Sequence, residues 1–381
     1  MTDSNAQASP NCRFIGVSDA RDQLSTPALL LDLNAFESNL KNMADYARQA
    51  GIRLRPHGKC HKSSAIARRQ IHDGAVGICC ANVGEAEVFF RGGVENLLLT
   101  SPMVTQVKLE RVFGLIASGA KLMLTVDHPE IVQALDQLAQ DRGVSVPVLV
   151  DLDCGQGRTG AASPAAAVDL IRRVLDSRSL HYRGMQCYAG HIQHIAEMAN
   201  RGRAVEKAMH VLRETLNRLE QNGIESEIVS GGGTGTYSLD CDLGLFTELQ
   251  VGSYVFMDAQ YNEVWAGNGK PFQTSLFVQM AVSSCSHKGF ATVDAGLKHF
   301  AFDGGVPVIV SGVPEGAVYE YTGDEHGKVI LPEHIGTVSL GTRIDAITPH
   351  CDPTVNLYDW YHCVRDGNLE DIWPIDARGA F

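Results

Sequence analysis

A chain of 381 residues with 44% hydrophobic and 20% charged residues is long enough for a large body plus an appended domain, and its composition excludes a disordered chain and a membrane-spanning one. The net charge of -12, from 44 acidic against 32 basic residues without a basic run, excludes nucleic acid as an expected partner. Ten cysteines are scattered without a CxxC pair and read as reduced, buried thiols; the opening MTDSNAQASPNCRF lacks the basic start and apolar run of a secretory signal, so the cytoplasm is the expected compartment.

The segment STPALLLDLNAFESNL reads as a strand followed by a capped helix. Its strand is free to join either the body that follows or the C-terminal domain. Short apolar runs then alternate with helical patterns, at 52–59, 75–83, 96–104, 121–127, 147–155, 182–190, 226–235 and 248–258. Amphipathic stretches such as PAAAVDLIRRVLDS and RAVEKAMHVLRETLNRLEQNG separate them, the second closing on a glycine suited to a helix C-cap. Eight such units predict an α/β fold, a (β/α)8 TIM-type barrel over 27–265; an open doubly wound sheet is the alternative, because periodicity does not show closure. From 266 to 381 the rhythm changes to alternating segments broken by Gly, Pro and Asp. This predicts an antiparallel β domain, joined by the N-terminal segment 1–26, with the strand near 27–33 assignable to either unit.

Barrel active sites lie at the C-terminal strand ends, where this chain concentrates its reactive groups. Lys59 ends the first run. An isolated lysine there is ordinarily solvated surface, but RPHGKCHKS places Arg55, His57, His61 and Lys62 beside it, and neighbouring cations are expected to lower its pKa toward nucleophilicity. The run SGGGTGTY, with Gly232, Gly233, Thr234 and Gly235, and the later Gly252, Ser253 and Tyr254 offer flexible backbone at the positions where barrels hold phosphate. No GK[ST] follows, so this is not a nucleotide P-loop. Arg158, after the fifth run, suits an anionic oxygen or stays a surface group. Tyr188, His191 and His194 follow the sixth, and either histidine suits acid or base work. If His350 to Asp352 is extended, the two side chains share one face and could hold a divalent cation; a hydrogen-bonded pair ahead of Pro353 is the structural alternative.

In order, RPHGKCHKS, GICCANVGEAE, DLDCGQGRTG, SGGGTGTY, TELQVGSYVFMDAQY, VDAGLK, DEHG, HCDPT and IWPIDARG resemble the D-threonine aldolase family of alanine racemase-like, barrel-type pyridoxal-phosphate enzymes. Members that cleave D-3-hydroxyaspartate look at least as close. The resemblance runs from about residue 25 to 379. It implies pyridoxal 5'-phosphate held by Lys59 as a Schiff base, and cofactor contacts from Arg158, Tyr188, Gly232 to Gly235 and Gly252 to Tyr254. Gln250 falls where alanine racemase places an arginine facing the pyridine nitrogen. His350 and Asp352 match ligands of a divalent metal, with Mn, Mg and Co as candidates. His194 matches the catalytic base, with His191 as a nearby competitor. The implied reaction is retro-aldol cleavage of D-3-hydroxy amino acids to glycine and an aldehyde, in a homodimer. The rivals are a D-3-hydroxy amino acid dehydratase, using the same lysine and metal, and a non-catalytic pyridoxal-phosphate carrier, disfavoured by the extra β domain with its HCD triplet.

Overall fold

In the computed structural model, which describes residues 9–267, 269–333 and 338–381, strand β1 (Ala28–Asp32) precedes eight parallel strands. These are β2 (Arg53–Leu54), β3 (Ile78–Cys80), β4 (Asn96–Leu99), β5 (Lys121–Val126), β6 (Val146–Asp151), β7 (Leu180–Cys187), β8 (Ile228–Gly231) and β9 (Glu248–Leu249). Their spatial order is β2-β9-β8-β7-β6-β5-β4-β3. The two ends of that order meet: Cys79 N–H donates to Pro56 O and Gly58 N–H to Cys79 O, both at 2.8 Å, around a parallel bridge between His57 and Cys79. The sheet is therefore a closed barrel, not an open doubly wound sheet. Strands covered on both faces must be apolar throughout, which is why runs such as LLL and VLV show no alternation.

The ladder is shorter than the apolar runs. Only Glu248 and Leu249 of 248–258 pair as strand, and Ser253–Val255 is a turn of 3-10 helix. After β2 the chain bends at Gly58, whose carbonyl accepts from both His61 and Lys62 N–H. Lys59 thus sits on a turn beyond the strand.

The second sheet comprises β10 (Leu276–Ser284), β11 (Phe290–Val293), β12 (Val308–Ser311), β13 (Val318–Tyr321), β14 (Gly327–Ile330), β15 (Arg343–Ile347), β16 (Trp360–Arg365) and β17 (Asn368–Pro374). Its order is β13-β14-β11-β10-β1-β16-β17, with β15 between β10 and β12. The N-terminal strand β1 lies here, antiparallel to β10 (Leu29 opposite Val278) and parallel to β16 (Leu31 opposite Cys363). Asp32 then accepts from Ala35 N–H at 3.0 Å and caps the helix Leu33–Ala50, which carries the chain to the barrel. Leu29, Leu31, Phe36, Tyr254, Phe256 and Trp373 share one buried cluster that joins the two sheets.

Directly after β2, Arg55 is tied to β9 by a buried ion pair: Arg55 Nε donates to Glu248 Oε1 at 2.8 Å and Nη2 to Oε2 at 3.3 Å. Glu248→Ala strands a guanidinium away from water and is expected to cost about 3–5 kcal/mol. A lowered urea midpoint with an unchanged m-value checks this; an unchanged midpoint refutes it. Among the described residues no helix is long and apolar enough to cross a membrane.

Candidate active site

A cavity of about 370 Å³ opens where the barrel loops face the second sheet. It is lined by Lys59, Arg158, Tyr188, His194, Gly233, Thr234, Gln250, Gly252, Ser253, His350 and Asp352 among others. Gly232, Gly235, His191 and Tyr254 were expected at the site but do not line it. His191 is exposed. The Tyr254 ring packs against Phe272, its hydroxyl accepts from Gln70 Nε2 at 3.2 Å, and its N–H goes to Thr234 Oγ1 at 3.0 Å.

The surroundings of Lys59 differ from the cationic cluster its sequence neighbours suggested. Arg55 is bound to Glu248, and Lys62 Nζ donates to Glu85 Oε1 at 2.7 Å. His61 is buried against Gln70, and burial pushes its pKa down to about 4; burial, then the Lys59 charge, depresses that of His57. Both rings are therefore neutral. What Lys59 Nζ meets is the Asp352 carboxylate, to which it donates. That negative charge outweighs burial and raises the lysine pKa rather than lowering it. Burial pushes the Asp352 pKa up, but the Lys59 ammonium and its hydrogen bond prevail and hold it below the usual carboxylate range.

The HCD segment is also not extended. His350 has extended backbone (φ -143°, ψ 120°) but is the N-cap of the helix Cys351–Val355, so Asp352 lies in a helical first turn. Both side chains nonetheless reach the cavity, because a bend between them replaces the two-residue alternation of a strand. His350 Nδ1 bonds Asp303 Oδ2 at 2.7 Å, which fixes the ring and leaves Nε2 for a metal, a pattern common among metal-bound histidines. Asp303 had no motif to announce it.

The His194 ring packs on Tyr261 with centroids 4.7 Å apart. Tyr261 belongs to the helix Ala259–Val264, capped by Asp258 Oδ1, while Asp258 Oδ2 accepts from Cys351 N–H at 2.9 Å. One buried carboxylate thus aligns the platform of His194 with the HCD turn. Across the cavity, Asp153 Oδ1 accepts N–H bonds from Gly155, Gln156 and Gly157 at 2.9, 2.9 and 3.1 Å and shapes the loop that carries Arg158. The Arg158 guanidinium lies 5.8 Å from the centre of the Tyr188 ring. Gln250 Nε2 donates to Gln186 Oε1 at 3.1 Å and Ser230 Oγ at 2.9 Å, so the side chain offered to the cavity there is a neutral amide.

The glycine run fits an anion. Gly232 has φ +73°, and a Cβ there would stand 2.8 Å from Asp240 Oδ2; one at Gly235 would stand 2.1 Å from Gln193 O. Among the described residues, the N–H groups of Thr234, Gly252 and Ser253 donate to no protein acceptor, and all three residues line the cavity. Orphan donors on two adjacent loops after the last barrel strands suit a phosphate. Gln193 and Asp240 support this cradle: Gly235 N–H donates to Gln193 Oε1 at 2.9 Å and Thr236 Oγ1 to Asp240 Oδ2 at 2.6 Å.

Burial pushes the Asp240 pKa from 3.8 up to about 7. A carboxyl that holds its proton more tightly when folded stabilises the fold at low pH, and that stabilisation is lost as pH rises through the folded value. Asp240→Asn is therefore expected to remove a decline in stability between 3.8 and about 7. Thermal melts of both proteins across that window decide it; parallel profiles refute it.

Fold and site together define a barrel-type enzyme of the pyridoxal-phosphate-dependent, alanine racemase-like class. Residues 31–260 match the alanine racemase N-terminal domain family, and residues 275–364 match the putative serine dehydratase domain. The chain belongs to the D-threonine aldolase and 3-hydroxy-D-aspartate aldolase family, and it is a lyase. It is 36% identical to the 3-hydroxy-D-aspartate aldolase of Paracoccus denitrificans (strain Pd 1222), covering 94% of this chain and 93% of that one. It is 38% identical to the D-threonine aldolase of an Arthrobacter species, covering 95% and 94%. The crystal structure of D-threonine aldolase from Filomicrobium marinum superposes with a TM-score of 0.89 at 38% identity, covering 94% of this chain and 97% of that one.

Proposed function

We propose that this chain cleaves D-configured 3-hydroxy-α-amino acids, such as D-threonine or D-3-hydroxyaspartate, by a metal-activated retro-aldol reaction that yields glycine and an aldehyde. Pyridoxal 5'-phosphate is held on Lys59 and a divalent cation on His350 and Asp352. The observation that carries this reading is the convergence of an amine, an anion cradle and a His, His, Asp cluster on one cavity. The cofactor supplies the electron sink for the bond between Cα and Cβ, and an ion such as Mn, Mg or Co supplies Lewis acidity at the β-hydroxyl.

The chain's own groups do the rest. The N–H groups of Thr234, Gly252 and Ser253 hold the phosphate, Arg158 and Tyr188 border the cofactor, and Gln250 sets a neutral amide beside its ring. Asp303 orients His350. His194 takes the proton of the β-hydroxyl: burial first, then the neighbouring His350, lowers its pKa below the ordinary histidine value, so it is neutral near pH 7 and able to accept. His194→Ala is expected to lower kcat by about 10²- to 10⁴-fold with cofactor absorbance retained. A variant that keeps full kcat transfers the base role elsewhere. A cytoplasmic homodimer completes the reading, on the family resemblance.

The dehydratase reading draws on the serine dehydratase domain match over 275–364, which includes the HCD segment. A product assay with Mn or Mg separates the two. Glycine plus aldehyde supports cleavage, whereas ammonia plus a keto acid replaces it with dehydration. Bound cofactor without turnover across a panel of D-3-hydroxy amino acids leaves only a carrier.

A further inference from the structure

Cys60 follows the catalytic lysine, and Cys351 separates His350 from Asp352. Both thiols are buried, and their Sγ atoms lie 3.8 Å apart. Cys351 Sγ is 3.5 Å from Asp352 Oδ1, and one ligand atom from each of Cys60, Cys351 and Asp352 falls within 4.8 Å of the others. The second carboxylate oxygen, Oδ2, is the one turned to Lys59. A tetrahedral zinc with bonds of about 2.3 Å to sulfur and about 2.0 Å to oxygen sets its ligand atoms about 3.8 Å apart for two sulfurs and about 3.5 Å for sulfur and oxygen. Packed, hydrogen-bonded thiols can reach similar separations one at a time. Here one set of metal bond lengths accounts for two of the triangle's three edges, and the third, between Cys60 and Asp352, lies within 4.8 Å.

We propose that Cys60, Cys351 and Asp352 form a second cation site, selective for soft divalent ions such as Zn²⁺ and Cd²⁺, whose filling competes with the activating ion for Asp352 and inhibits the enzyme. Two sulfur ligands select against Mg²⁺ and Mn²⁺, which prefer oxygen. Binding releases the two thiol protons to solvent, and the carboxylate is already ionised. The inhibitory half rests on the function proposed above; the binding half does not.

The test uses the full chain with its cofactor. Titration with Cd²⁺ should raise the ultraviolet thiolate-to-cadmium band to an end point of one ion per chain. X-ray absorption of the zinc-loaded protein should require two sulfur scatterers at about 2.3 Å, a measurement that needs no variant. Cys60→Ser and Cys351→Ala should each weaken Cd²⁺ binding by at least about tenfold, whereas His350→Ala should keep the band. A wild-type protein without the band, a zinc shell without sulfur, or a band unchanged in both cysteine variants overturns the site. In turnover, Zn²⁺ should inhibit the Mn²⁺-activated enzyme, and Cys351→Ala should need at least about tenfold more. A two-sulfur shell without inhibition overturns the inhibitory half alone. Failure of the chain to cleave any D-3-hydroxy amino acid overturns the proposed reaction, while the spectroscopic result still decides the site.

Discussion

Replacing Lys59 by Ala is expected to lower turnover by on the order of 10³-fold or more, the scale seen when a covalent nucleophile is removed. It should also end borohydride-stable attachment of pyridoxal phosphate. No neighbour can substitute. Lys62, three residues on, is buried with its ammonium on Glu85, and Lys59 is the only lysine among the described residues lining the cavity. The cradle of Thr234, Gly252 and Ser253 is untouched by the change, so the variant should still bind the cofactor reversibly. That separates loss of the covalent link from loss of the site. Because Asp352 raises the lysine pKa, the amine of the cofactor-free chain is protonated near neutral pH and must shed a proton to attack a carbonyl. Attachment to that form should accelerate about tenfold per pH unit below the amine pKa. Peptide mapping after borohydride reduction is the check, and a label on any other lysine moves the assignment.

What the sequence disclosed about Lys59 was its position, not its electrostatics. Arg55, His57, His61 and Lys62 lie within four residues of it, but the turn at Gly58 disperses them. Their partners Glu248, Thr100, Gln70 and Glu85 lie 193, 43, 9 and 23 positions away along the chain, and pairing over such distances leaves no local pattern. The apolar runs outlast the strands because they record burial, and side chains buried on a loop are as apolar as those buried on the ladder. Closure of the barrel runs through the bonds of Pro56 and Gly58 to Cys79, either side of His57, which no periodicity predicts.

The site was most legible where one residue type is chemically required at a strand-end position: the lysine, the glycine run, the HCD triplet. It was least legible in the supporting groups. Asp303, Asp258, Gln193 and Tyr261 each serve through a contact with a residue distant in sequence, and Asp240 lies buried beside the glycine run. Sequence spacing misjudged the HCD triplet in one respect, since a cap-to-helix bend takes the place of an extended strand. A proline one residue after the aspartate, suited to the first turn of a helix, was the available signal.

The second large effect is expected at Asp352. This carboxylate bonds Lys59 through Oδ2 and faces Ser253 Oγ at 3.5 Å through Oδ1, so Asp352→Asn removes both the lysine's counter-charge and half of the proposed metal pair. Lewis-acid activation contributes several kcal/mol to a reaction of this kind, so the variant should lose on the order of 10²- to 10³-fold in turnover. The ratio of rates with and without added Mn²⁺ should fall to about one. Chelator applied to the wild type should reproduce that loss, and His350→Ala should match it while leaving the Lys59 partner in place. The two variants then differ in a predictable way. Without the Asp352 charge the Lys59 pKa falls, so Asp352→Asn should take up the cofactor covalently at lower pH than His350→Ala. In the wild type the ion pair adds stability over the pH range where both groups are charged. That stability fades in acid as the lowered Asp352 pKa is crossed, and in base as the raised Lys59 pKa is crossed. Undiminished metal stimulation in Asp352→Asn would take the cation off this aspartate, and with it the shared-ligand competition inferred for Cys60 and Cys351.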